Sequence, residues 1–78
     1  MGHDMNSEFD KRLGKNIRAL RKNKKWTQDQ LAAKMQTYGC DITRSTMAKL
    51  EVGQRHIYAD EIYALKEIFR CSYEDLFE

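Results

Sequence analysis

The strongest constraint on this 78-residue chain is a local device that it uses three times. Each copy places an apolar residue before a hydroxyl residue, and a second apolar residue four positions after the hydroxyl. The copies are Trp26-Thr27 with Leu31, Ile42-Thr43 with Met47, and Cys71-Ser72 with Leu76. A hydroxyl in that place takes a free N–H of a helix's first turn. The flanking apolar pair staples the entering chain to the helix. Gln30 and Asp75, three residues after Thr27 and Ser72, complete two capping boxes. Helices are therefore expected to start just after Thr27, Thr43 and Ser72.

Two further segments carry helical periodicity. Phe9, Leu13, Ile17 and Leu20 fall at i, i+4, i+8 and i+11, with Ser7 as the expected cap. In ADEIYALKEIFR, Ile62, Leu65 and Phe69 form one stripe with Ile68 beside it. Gly39 and Gly53 are the expected stops of the second and third helices. No stretch alternates over four or more residues with β-branched support, so strands are not expected. The expectation is an all-α domain of five short helices over residues 7–78, preceded by a disordered tail at 1–6.

Several function classes are disfavoured. The apolar runs are too short to span a bilayer, and MGHDMNSEFD lacks the apolar centre of a signal peptide. Cys40 and Cys71 are too few for a disulfide scaffold and are read as reduced thiols of a cytoplasmic protein. His3 and His56 have no nucleophile or carboxylate in a recognisable spacing, so neither catalysis, a metal site nor a cofactor is expected.

Charge points elsewhere. Residues 11–55 hold twelve Lys/Arg against three carboxylates, a balance of +9, whereas residues 1–10 and 56–78 stand at −3 and −4. Such segregation suits a polyanion on one surface. Within the basic segment, ITRSTMAKLEVG reads as a helix with two faces. Met47 and Leu50 share one side; Arg44, Ser45, Ala48 and Lys49 share the other, with no carboxylate among them.

From Leu13 to Phe77 the pieces IRALRKNKKWTQDQLAAKM, ITRSTMAKLEVGQR and EIYALKEIFRCSYEDLF stand in a familiar order. Over about five-sixths of its length the chain resembles the phage-repressor/Cro (XRE-type) family of helix-turn-helix DNA-binding proteins. The resemblance implies a compact, lambda-repressor-like five-helix domain with its helix-turn-helix at about 27–52. The helix over 44–51 would lie in the major groove. Arg44, Ser45 and Lys49 would then meet base edges, and Ala48 a thymine methyl, in keeping with their donor and methyl chemistry. The family pattern puts Gln28 and Thr43 on phosphates, with Gln54 and Arg55 gripping the backbone on the far side. Arg21 and Glu51 match an internal ion pair that ties the first helix to the recognition helix.

The chain departs from the family in one place. MQTYGCDIT makes the link between helices two and three about five residues longer than the phage-type pattern. It implies either a longer second helix or a small loop around 38–41. A double-stranded DNA operator is the expected partner, bound by a homodimer contacting through exposed groups such as Tyr73 or Phe77. The expected role is a small transcriptional regulator acting as a repressor. The rival reading is a protein-interaction module of the same fold, such as the antitoxin of a toxin–antitoxin pair.

Overall fold

The computed structural model describes the backbone of residues 3–78 and the side chains from Glu8 onward. Five helices follow one another: α1 (His3–Asn23), α2 (Gln28–Thr37), α3 (Arg44–Glu51), α4 (Ala59–Phe69) and α5 (Tyr73–Phe77). No strand occurs among the described residues. The start of α1 corrects one expectation. Ser7 lies inside the helix, which begins at His3 because no breaker stands between the two. Met1 and Gly2, the beginning of the expected tail, lie outside the described residues.

The three hydroxyl caps act as their spacing predicts. Thr27 Oγ1 accepts from Gln30 N at 3.0 Å, and Gln30 Oε1 accepts from Thr27 N at 2.8 Å. Ser72 and Asp75 exchange the same pair of bonds at 3.2 and 3.0 Å. Thr43 Oγ1 accepts from Thr46 N at 3.2 Å. α4 starts without a hydroxyl, and Glu61 accepts from the N–H of Tyr58 instead.

Four helices close in the same way. A residue with positive φ follows each, at Lys25, Gly39, Gly53 and Arg70. The next N–H then turns back onto the helix: Trp26 N to Arg21 O, Cys40 N to Met35 O, Gln54 N to Lys49 O and Cys71 N to Lys66 O. These are Schellman closures, which satisfy carbonyls the helix leaves open. Two of them hold a non-glycine residue in the left-handed region.

α1 is the spine of the domain, packed against α3, α4 and α5, while α2 lies on α3 and α4. Leu13 and Ile17 meet Leu31, Met35, Met47, Leu50, Leu65 and Leu76 in one buried cluster. Gly14 permits the approach of α1 to α3, since a Cβ there would overlap the carbonyl oxygen of Leu50. Asn16 Nδ2 donates to Leu76 O at 2.6 Å and ties α5 to the spine. Trp26 stacks on Phe69 with ring centroids 5.8 Å apart. Phe9, expected on the buried stripe, is half in solvent beside the ring of Phe77. It lies near the free end of α1, where α5 is only five residues long and covers it incompletely.

The extended link is a loop, residues 38–43, and α2 ends at Thr37. Cys40 and Ile42 plug into the core, while Tyr38 and Asp41 stay outside. Gln36 Nε2 donates to Ile42 O at 2.9 Å across the loop. Two buried side chains and that bond fix where α3 begins despite the added residues.

Candidate nucleic-acid interface

α3 divides along its length into the two faces its sequence implies. Met47, Leu50 and Glu51 are buried; Arg44, Ser45 and Lys49 are exposed, with Ala48 half-buried between them. Thr43 is also exposed, but its hydroxyl is already occupied as the cap and by Thr46 Oγ1 at 3.1 Å. What remains at that end are the N–H groups of Arg44 and Ser45, which the helix itself cannot satisfy.

Behind α3 lies an ion pair reaching across the fold. Arg21 Nε and Nη2 donate to the two oxygens of Glu51 at 2.6 and 2.9 Å, and Nη1 donates to Trp26 O at 2.8 Å. Gln28 Nε2 adds a bond to Glu51 Oε1 at 3.1 Å. The hydrogen bonds to Glu51 push the Arg21 guanidinium pKa up, burial opposes them, and the charge of Glu51 adds to the rise. The Arg21 guanidinium therefore stays charged at any working pH. It fixes the end of α1, the start of α2 and the end of α3 in one network.

Gln28 spends one of its two amide N–H donors on Glu51, leaving the other beside the N–H groups opening α2. A shallow cleft joins the starts of α2 and α3, lined by Arg21, Thr27, Gln28, Asp29 and Arg44. Free N–H groups and Arg44 there favour an anion, while the Asp29 carboxylate opposes one and Arg21 is already compensated by Glu51.

On the far side of α3, the sequence expectation meets a competing contact. Arg55 is engaged by Glu61, with Nη1 and Nη2 donating to its two oxygens at 2.8 and 3.0 Å, and Nη1 also donating to His56 O. Its guanidinium sits 5.1 Å from the Tyr58 ring centroid. A phosphate can use only the outer edge of this group. Gln54 is exposed, though its N–H closes α3. His56 Nδ1 lies 2.7 Å from Asp10 Oδ2, joining the loop to α1. The partnerships of Glu61 and Asp10 escape a sequence reading because neither follows helical periodicity.

Among the described residues no group of three or more His, Cys, Asp or Glu side chains could hold a metal ion. Burial, followed by the charges of Asp60 and Glu61 for Cys40 and of Asp75 for Cys71, pushes both thiols up. No helix among the described residues is long and apolar enough to cross a membrane.

Two helices joined by a loop, the second presenting a basic polar face and braced by the first helix of the domain, form a helix-turn-helix unit. The family model described as "Helix-turn-helix domain" matches residues 14–78, and the chain belongs to that family. Membership points to DNA binding by a small regulator. No curated protein and no solved structure matches the chain.

Proposed function

We propose that the chain is a sequence-specific double-stranded DNA-binding regulator of the phage-repressor/Cro (XRE) type, acting as a cytoplasmic repressor without catalysis or cofactor. The observation that carries this reading is the outward face of α3. Arg44, Ser45 and Lys49 stand exposed on a helix whose opposite face is locked into the core and into the Arg21–Glu51 fork. Arg44 supplies a two-pronged donor for guanine O6 and N7, Ser45 serves several base edges, and the Ala48 methyl suits thymine. One good bidentate contact contributes about 1–3 kcal/mol of discrimination. Phosphates are held by the start of α2 at Gln28, by the N–H groups after Thr43, and by Gln54 with the outer edge of Arg55.

A homodimer would place two such helices on half-sites about 34 Å apart. Tyr73, stacked on Phe77 at 6.1 Å and 43% exposed, offers an aromatic surface for that contact.

The test is fluorescence anisotropy on a duplex from the chain's own upstream region against a scrambled duplex, at several salt concentrations. A preference of at least ~10³-fold with steep salt dependence supports the reading. Equal, weak binding to both contradicts it for that operator.

One observation favours the second reading, a protein-interaction module such as an antitoxin. A hollow between α2 and α4 is lined by Trp26, Tyr38 and Ile68 beside the charged Lys24, Lys34, Arg70 and Glu67, a mixed and mostly polar surface. Co-purification with a stable protein partner that abolishes DNA preference would favour that reading over the first.

A further inference from the structure

α1 presents a second face to solvent that the helix-turn-helix itself does not use. Lys11, Lys15, Arg18 and Lys22 stand at i, i+4, i+7 and i+11, within about 60° of one another on the helical wheel. All four are exposed, and among the described residues none of them forms an ion pair. At 1.5 Å per residue they make a ridge about 16 Å long. Glu8, one turn before Lys11, marks its acidic limit. Asp10 is turned away, buried against His56.

The ridge borders the recognition helix. Gly53 closes α3 with φ +77°, and a Cβ on it would lie 2.5 Å from Lys11 Cγ and 2.7 Å from Lys11 Cα. The backbone of α1 at Lys11 is thus in direct contact with the turn between Lys49 and the exposed Gln54. One turn further along, Gly14 lies against the carbonyls of Leu50 and Glu51. The basic surface therefore continues from the end of α3 onto α1 without an intervening carboxylate on the ridge.

We infer that this α1 ridge is a second phosphate track, running along the backbone of the same duplex that α3 reads. The inference rests on the DNA-binding reading and extends it. Along one strand successive phosphates stand roughly 7 Å apart, so four cations over that length can reach about three of them. Contacts of this kind release counterions and hold register, and they carry no base information. The ridge sets affinity and salt sensitivity, while α3 sets sequence preference.

The test compares wild type with K11Q/K15Q/R18Q/K22Q on the upstream and scrambled duplexes, with circular dichroism confirming the fold. Each phosphate contact contributes about 0.9 to the slope of log K against log salt, so the variant's slope should flatten by about 3 on both duplexes. The ratio between duplexes should stay within about twofold, because the lost contacts do not read bases. The charge-keeping variant K11R/K15R/K22R should retain the wild-type slope, and K15Q/R18Q should lose roughly half of the quadruple effect. A wild-type slope in the quadruple variant would overturn the ridge while leaving the DNA reading intact. A wild-type protein with neither preference nor salt dependence would instead overturn the DNA reading, and the ridge with it.

Discussion

Two arginine–glutamate forks flank α3, and they hold different things. Arg21 and Glu51 are 30 residues apart, with side chains only 9% and 1% exposed, and join the first helix to the third. Arg55 and Glu61 are six residues apart, with side chains 28% and 7% exposed, and close the turn into α4. The donor–acceptor geometry is nearly the same. The surroundings differ, and they decide the energetics. Removing one partner of a buried pair strands a charge out of water, whereas a pair open to solvent is screened and its survivor is rehydrated. Each fork also stands beside a left-handed helix closure: Lys25 next to Arg21, and Gly53 next to Arg55.

The contrast predicts a graded series. Glu51→Ala should have the largest effect, about 3–5 kcal/mol of lost stability, because Arg21 is left buried with Trp26 O as its remaining partner. Urea unfolding checks it. The double variant R21M/E51L should recover most of the loss, and failure to recover would mean the fork does more than satisfy its own charges. Gly53→Ala comes next, at no less than the about 1–2 kcal/mol cost of a side chain in the left-handed region. Its Cβ would also press on Lys11. Glu61→Gln should cost about 1 kcal/mol or less, since Arg55 is partly in solvent and the new side chain can still accept from Tyr58 N. The same change frees Arg55, so DNA affinity at low salt should rise. Equal losses at Glu51 and Glu61 would erase the distinction between the forks. Lys25→Gly is the smallest change and has the opposite sign. Relief of the left-handed lysine exceeds glycine's added chain entropy by ~0.5 kcal/mol, a gain visible as a small rise in Tm.

The same two closures show what could be read from the sequence. Helix starts were legible because a cap is local: Thr27, Thr43 and Ser72 each act within three residues of themselves. Stops at Gly39 and Gly53 were legible through glycine, but Lys25 and Arg70 adopt the same conformation without that signal. Ser7 misled because a hydroxyl marks a start only where the chain before it is not helical. The two faces of α3 follow from its wheel alone. The engagement of Arg55 by Glu61, and of His56 by Asp10 across 46 residues, depends on how the loop after α3 folds back, which no periodicity encodes. The expected ambiguity of the α2–α3 link resolves into a loop because Cys40 and Ile42 have places in the core to fill.

Selection from a pool of random duplexes tests most directly whether α3 reads bases with the face carrying Arg44. Wild type and Arg44→Ala are each carried through several rounds of binding, and the bound sequences are compared. Arg44 is exposed and outside both forks, so the variant should fold normally. The wild type should yield a defined site, and the variant should yield the same site with one base position relaxed, a loss of about 1–3 kcal/mol of discrimination there. Identical sites from both proteins would show that the outward face of α3 does not read DNA in this register.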